Sequence, residues 1–139
     1  MNAIEVARNQ FDSWNRHDAD AIGGGFVEGG TYNNPNVDQP LTGAAIGDFA
    51  KSVFTAFPDL QFTIEDMIAE GDTVVVRYTT RGTHQGAFRG IAPTGKQVSG
   101  TGMFIDRIVN GKAVEPWFNG DDLDLLHQLG VIPAPGQPG

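Results

Sequence analysis

The sequence contains no cysteine, and this absence removes several kinds of site at once. Without thiols the chain can form no disulfide, no thiolate nucleophile and no zinc site built on cysteine. The histidines, His17, His84 and His127, do not follow the spacings of histidine metal ligands. Neither a phosphate-binding loop nor a Gly-x-Ser-x-Gly nucleophile turn is present. We therefore predict no metal, no cofactor and no covalent serine chemistry.

Basic residues are scarce as well. The chain has 9 Lys and Arg against 17 Asp and Glu, a formal net charge of −8, and its basic residues form no run. Such a chain repels phosphate backbones and anionic lipid surfaces, so we expect no nucleic-acid partner and no membrane partner. No apolar stretch reaches the roughly 18 residues of a spanning helix, and residues 1–6 lack the basic start of a signal peptide. These absences predict a cytoplasmic protein.

Apolar periodicity predicts two main helices in the first part of the chain. Ile4, Ala7, Phe11 and Trp14 form one apolar stripe, and a second stripe runs through residues 43–57. A short helix between them has Asp18 at the position of its N-cap.

From residue 60 onward the apolar period shortens to about 2, which predicts strands at 60–65, 73–83, 98–109 and 112–118. Asn110-Gly111 is a strong signal for a hairpin turn between the last two. A final helix over 121–129 should end at Gly130. This order predicts one α+β domain over residues 1–130, with helices packed on a curved antiparallel sheet that encloses a pocket. Residues 131–139, rich in Pro and Gly, are predicted to form a flexible tail.

Several short segments, taken in order, resemble the SnoaL-like (polyketide cyclase or ester cyclase) family of the nuclear-transport-factor-2-like superfamily. They are Phe-Pro-Asp-Leu at 57–60, Gly-Thr-His-Gln-Gly at 82–86, Gly-Ile-Ala-Pro-Thr-Gly-Lys at 90–96, Arg at 107 with Gly-Lys at 111–112, Glu-Pro-Trp at 115–117 and Gln-Leu-Gly at 128–130. The resemblance runs from about residue 5 to residue 132. It implies a cone-shaped α+β fold with one ligand pocket.

The founding members of that family close a ring in aromatic polyketide precursors by an intramolecular aldol reaction. An Asp acts there as general acid/base, beside a His and a Gln from a neighbouring strand. Aligning Gly111 and Lys112 with the family's Gly-Lys turn places these three residues on Phe118, Phe104 and Gly102. We expect Phe104 and Phe118 to make the pocket more apolar and to bind a small hydrophobic or aromatic molecule.

Asp106 is the first candidate for catalysis. Strand alternation places it on the same face as Phe104, so it should face the pocket if Phe104 does. A carboxyl group in an apolar cavity tends to keep its proton and can act as acid or base near neutral pH. The alternative is a cross-strand ion pair with Arg77 or Arg81.

His84 and Asp121 are the other two catalytic candidates. His84 matches the family's Thr-His-x-Gly, where an imidazole can exchange protons or can only fix the shape of the loop. Asp121 matches an acidic position of the family and would place a carboxylate at the pocket mouth. Asp121 can equally cap the last helix, with Asp124 three residues on as in a capping box.

Four further residues are candidates for substrate binding. Tyr32 and Asn34 lie two apart, so an extended chain points both side chains the same way, and the resemblance implies that this segment lines the pocket. The alternative for Asn34 is an Asx turn before Pro35. Trp117 and Asn119 match the family's segment at the end of the last strand, which implies a pocket wall and a polar orienting group.

These residues predict a cofactor-free acid/base enzyme that acts on a small hydrophobic carbonyl compound, as a cyclase, isomerase or hydrolase. A non-catalytic small-molecule-binding protein of the same fold is the alternative. An exposed sheet face would favour a homodimer, and a protein serving mainly that purpose is a third possibility.

Overall fold

The computed structural model describes residues 2–133, so most of the predicted tail, residues 134–139, lies outside the described part. The elements in chain order are α1 (Ala3–Asn15), α2 (Ala19–Gly24), β1 (Thr31–Tyr32), β2 (Leu41–Thr42), α3 (Ala44–Ala56), β3 (Gln61–Glu70), β4 (Thr73–Thr83), β5 (Gln97–Val109), β6 (Lys112–Ala113), β7 (Trp117–Gly120) and α4 (Asp122–Leu129). Within residues 2–133, no helix has the length and apolar character needed to cross a membrane.

The sheet is antiparallel, with strand order β3-β4-β5-β6 and with β7 also paired to β5. β4 pairs with β5 along its whole length, from Thr73 opposite Arg107 to Thr83 opposite Gln97. β3 carries a register shift between Ile64 and Asp66, and such a bulge bends a strand. The helices and the long antiparallel strands confirm the predicted α+β arrangement.

The last strand differs from the prediction of one continuous strand over 112–118. It is divided into β6, which pairs with the end of β5, and β7, which pairs with residues 102–105. Pro116 lies in the gap and has no N–H to offer to a ladder. Val114 and Glu115 instead donate their N–H groups to the Arg107 carbonyl and to the Asp106 side chain.

Side-chain caps fix where three of the helices begin. Asn2 accepts a hydrogen bond from the Glu5 N–H, Asp18 from the Ala21 N–H, and Asp121 from the Asp124 N–H at 3.1 Å. Each cap satisfies an N–H group of the first helical turn, which has no partner within the helix. At the other end of α4, Gly130 has φ 78°, a left-handed conformation suited to glycine.

The core lies between the helices and the inner face of the sheet, and aromatic rings fill its centre. Phe11 of α1 is 2 % exposed and packs edge-on against Phe62 of β3 and Phe104 of β5, with ring centroids 5.6 and 5.5 Å apart. Edge-to-face pairs at such distances add to the stabilisation from burial. Alternation along β4 sends Val74, Val76 and Tyr78 to the same inner face.

Candidate functional site

The site is a cavity of about 200 Å³ between the inner face of the sheet and α1, α3 and α4, which we name the main cavity. Most of its wall is apolar and comes from aromatic rings such as those of Trp14, Phe49, Phe62 and Phe118. Apolar walls with a few polar groups are typical of small-molecule sites. The cavity can therefore hold a small hydrophobic ligand and orient it through a small number of hydrogen bonds.

A second cavity of about 150 Å³, which we name the inner cavity, shares one wall with the main cavity. Trp14, Tyr32 and Phe118 line both cavities, while Phe104 lines only the inner one. Phe104 and Phe118 are opposite each other in the β5–β7 register, with ring centroids 4.7 Å apart. The structure thus brings both predicted phenylalanines to cavity walls.

Tyr32 and Asn34 also line the main cavity, and they are bonded to each other. The Asn34 Nδ2 group donates to the Tyr32 hydroxyl oxygen at 3.2 Å, while Asn34 Oδ1 accepts from the Asn36 N–H at 2.9 Å. The second bond is the Asx turn considered as an alternative, so Asn34 has both roles. Burial raises the pKa of Tyr32, against the opposing effect of the Asn34 hydrogen bond, and the phenol stays a neutral donor.

Asp121 combines both interpretations of its role. Its Oδ1 atom caps α4, and the residue lines the main cavity. Asp122, the first residue of α4, lines the same cavity and is half-buried. The Oδ1 atom of Asp122 lies close to Gly120, 3.9 Å from where a Cβ atom would stand. Two carboxylates therefore flank the cavity where α4 begins.

Asp106 faces inward, as strand alternation predicts, and it is 2 % exposed. Arg77 does not pair with it, because Arg77 binds Asp66 at 2.7 Å, the sole ion pair within residues 2–133. Asp106 Oδ1 instead accepts from the backbone N–H groups of Arg107 at 2.7 Å and Glu115 at 3.1 Å. These bonds hold the segment between β6 and β7 against β5.

The Asp106 carboxyl lies behind the cavity walls and not on them. Its Oδ2 atom is buried and has no hydrogen-bond partner within residues 2–133. Burial raises the pKa of Asp106 from 3.8 to about 6, against smaller opposing effects of the backbone hydrogen bonds and of the Gln10 side chain. Gln10 lines the inner cavity, so the carboxyl is one side chain away from that space.

The structure places His84 away from both cavities, in the loop before β5. The ring is fully buried, with its centroid 5.5 Å from that of Phe57. Nδ1 accepts a hydrogen bond from the Thr94 N–H at 3.2 Å, and the His84 backbone bonds Lys96 and Gly95. This geometry supports the alternative in which His84 fixes the shape of the loop.

Trp117 and Asn119 lie on the outer face of the sheet, which differs from the prediction that both line the pocket. Side chains alternate along β7, so an inward Phe118 requires both of its neighbours to point outward. Trp117 is 55 % exposed. The resemblance gave the segment correctly, but only the strand pairing shows which of its residues face inward.

Tyr78 and Asp122 are site residues that the sequence reasoning missed. Tyr78 is two residues from Val76 in β4, so alternation alone could have placed it inward. Asp122 is the first residue of a helix, and its position beside the cavity depends on how α4 packs on β5. Within residues 2–133, no group of three or more His, Asp or Glu is placed to hold a metal ion.

Comparisons with known proteins agree with this geometry. The family model described as SnoaL-like polyketide cyclase matches residues 4–129. The chain belongs to this family. No curated protein sequence matches it.

Solved structures show the same fold. AclR from Streptomyces galilaeus, described as a proposed hydroxylase, is 32 % identical over 95 % of this chain and 83 % of its own, with a TM-score of 0.84. IdmH from Streptomyces antibioticus, described as a proposed polyketide cyclase, is 25 % identical over 94 % of this chain and 99 % of its own, with a TM-score of 0.82. A SnoaL-like polyketide cyclase from Agrobacterium tumefaciens is 19 % identical over 94 % and 99 %, with a TM-score of 0.78. The predicted cone-shaped fold is confirmed, and family and fold support a function of the cyclase or isomerase type.

Proposed function

We propose that this protein is a cofactor-free acid/base enzyme that moves a proton on a small hydrophobic carbonyl compound bound in the main cavity. The observation that carries the proposal is the pairing of an apolar wall with carboxylates at one side of the same cavity. A carboxylate beside an apolar ligand can take a proton from the carbon next to a carbonyl group, the first step of an aldol cyclisation or an isomerisation.

Asp122 is the residue we assign as the base. Asp121 already uses one oxygen to cap α4, and it supports the position of its neighbour. Tyr32, held by Asn34, orients the ligand's polar end, and Phe118 packs on its apolar part. We assign Asp106 and His84 to the framework, because their hydrogen bonds go to backbone groups of neighbouring loops.

The experiment measures hydrogen–deuterium exchange at carbon 1 of 2-tetralone, a bicyclic aromatic ketone with an acidic CH₂ group. The wild-type protein should accelerate exchange over buffer, and Asp122→Asn should lower the rate about a hundredfold, within the usual contribution of one acid/base group. Asp124→Asn is the matched control, since Asp124 is an exposed carboxylate on the same helix. Equal rates for wild-type protein and Asp122→Asn would remove Asp122 from the mechanism.

A binding protein without catalysis is the second candidate. It is favoured by the apolar phenylalanines at 104 and 118, which face the cavities where the resemblance implies an acid and a histidine. Saturable binding of 2-tetralone without any exchange above buffer would establish it. Recovered 2-tetralone that has gained an oxygen atom would instead indicate the chemistry proposed for AclR.

We also propose that two copies of the protein form a homodimer through the outer faces of their sheets. Ile68, Val75, Ile105 and Trp117 follow one another across β3, β4, β5 and β7 in direct register, and all are exposed. A row of apolar side chains across four strands suits a second copy of itself around a two-fold axis. Light scattering on the intact chain measures the oligomeric state, and a monomer at micromolar concentration would contradict this proposal.

A further inference from the structure

Two glycines form a bare strip on the inner face of the sheet. Tyr78 of β4 is opposite Gly102 of β5, and Gly102 is in turn opposite Gly120 of β7. A Cβ atom at Gly102 would overlap the hydroxyl oxygen and the ring of Tyr78. The phenol therefore extends sideways across Gly102, in the space that any other residue at 102 would fill.

The strip brings this phenol toward a carboxylate. Asp122 Oδ1 lies near Gly120, the next residue across the sheet from Gly102. Burial first, and the charge of Asp122 second, raise the pKa of Tyr78 to about 12, so the phenol keeps its proton. Tyr78 and Asp122 both line the main cavity.

The hydroxyl of Tyr78 is available to a ligand. Within residues 2–133 no hydrogen bond involves this hydroxyl, and Tyr78 lines the main cavity. The Tyr32 oxygen accepts from Asn34, which leaves the Tyr32 proton free to be donated. The rings of both tyrosines contact Phe118, with centroids 5.2 Å away for Tyr32 and 6.2 Å for Tyr78.

We infer that Tyr78 and Tyr32 donate two hydrogen bonds to one carbonyl oxygen of the bound compound, with the ligand lying on the strip of Gly102 and Gly120. This inference rests on the proposed function for its ligand class. It makes Tyr78 a catalytic residue and identifies the substrate as a ketone or ester whose oxygen points to β4 while its acidic C–H points to α4.

In the reaction of such a ketone, Asp122 takes a proton from carbon and the two tyrosines stabilise the negative oxygen. The C–H bond next to the carbonyl breaks, its proton goes to the Asp122 carboxylate, and its electron pair forms a carbon–carbon double bond. The π pair of the carbonyl moves onto oxygen, where the two phenols stabilise the negative charge through hydrogen bonds. Both tyrosines keep their protons throughout, and the ketone regains a hydrogen when Asp122 returns it.

The test uses 2-tetralone labelled with ¹³C at the carbonyl, bound to the intact protein, and reads the carbonyl resonance by NMR. Hydrogen bonding moves this resonance to higher frequency. We expect the resonance in the wild-type protein to lie at higher frequency than in cyclohexane, where the carbonyl accepts no hydrogen bond. Tyr78→Phe should remove this difference in part, and the double change Tyr78→Phe, Tyr32→Phe should remove it fully. Thr79→Val is the matched control, because Thr79 is on the same strand but bonds Glu65 on the outer face.

Gly102→Ala gives an independent variant with both tyrosines intact. Its Cβ atom would displace the Tyr78 ring, so it should reduce the carbonyl shift as Tyr78→Phe does. Tyr78→Phe deletes only an oxygen atom and should keep the melting temperature, which separates loss of the donor from loss of the fold. An unchanged carbonyl shift in Tyr78→Phe would overturn the inference, as would a wild-type resonance no different from that in cyclohexane, where the carbonyl accepts no hydrogen bond.

Exchange at carbon 1, measured in the same tube, separates this inference from the proposed function. Tyr78→Phe should slow exchange about a hundredfold, as removal of one donor to a developing oxyanion does. Exchange with no dependence on Tyr78 would overturn the inference and leave the enzyme proposal standing. A Tyr78-dependent carbonyl shift without exchange would support the inference as a description of ligand binding and would refute the enzyme.

Discussion

Replacing Asp106 with asparagine should stabilise the protein at neutral pH and change its stability little at pH 4. The Asp106 pKa rises from 3.8 to about 6 because the carboxyl is buried. A folded-state pKa above the unfolded value means that the folded protein binds more protons between these two pH values. Stability from this group is therefore present below pH 3.8 and is lost as the pH rises through about 6.

The size of the effect follows from the same values. At about 1.4 kcal/mol per pH unit, the rise from 3.8 to about 6 corresponds to a cost of about 3 kcal/mol above pH 6. Asparagine keeps an oxygen that can accept from the Arg107 and Glu115 N–H groups, but it carries no charge to bury. The pKa of about 6 already includes the opposing effect of these two bonds, so about 3 kcal/mol is the whole difference expected well above pH 6.

Urea denaturation of both proteins from about pH 4 to about pH 8 measures this difference. We expect the free energy of unfolding of Asp106→Asn to exceed that of the wild-type protein by an amount that grows with pH and levels off above pH 6. Asp48→Asn, at an exposed position of α3, is the control. A difference that is constant with pH, or a less stable Asp106→Asn protein at pH 8, would refute the reasoning.

Three further substitutions test the wall between the two cavities, a close backbone contact and the outer face of the sheet. Phe118→Ala should lower the free energy of unfolding by about 3–5 kcal/mol and join the two cavities, because Phe118 lines both. Calorimetry should then show tighter binding of a larger tricyclic ketone than of 2-tetralone. Unchanged selectivity between the two ketones would contradict the shared wall. Gly86→Ala should lower the free energy of unfolding, measured by urea denaturation, by about 1–3 kcal/mol, because its Cβ atom would overlap the Thr55 backbone. Gly24→Ala, with open space around it, should lower it clearly less, and equal losses of stability would contradict this reasoning. Ile105→Lys should give a monomer in light scattering that still binds 2-tetralone, and a persistent dimer would exclude the outer face as its interface.

The fold was largely predictable from the sequence because local patterns and tertiary packing agree. The stripe from Ile4 to Trp14 gave α1, and Asn110-Gly111 marked the turn between β5 and β6. The division of the last strand was missed, although Pro116 is visible in the sequence. Its effect depends on Asp106, whose side chain takes the Glu115 N–H group out of the ladder.

The site was less predictable, because it depends on which faces meet. Strand alternation placed Asp106 inward correctly, but it could not show that the carboxyl would accept hydrogen bonds from backbone N–H groups. Tyr78 was missed because its importance comes from Gly102, a neighbour across the sheet and distant along the chain. Asp122 was missed in favour of Asp121, since only the packing of α4 shows that both line the cavity.

The most direct test of proton transfer in the main cavity is its stereochemistry. Buffer removes either hydrogen at carbon 1 of 2-tetralone with equal probability, whereas a carboxylate fixed on one side of the ligand removes one of them. The two hydrogens are mirror-image positions of an achiral ketone, so deuterium NMR is recorded on the recovered ketone in a chiral aligned medium that distinguishes them. Early in the exchange it should show deuterium at one of the two positions with the wild-type protein, and Asp122→Asn should abolish this preference. Equal loss of both hydrogens at the buffer rate would contradict the account.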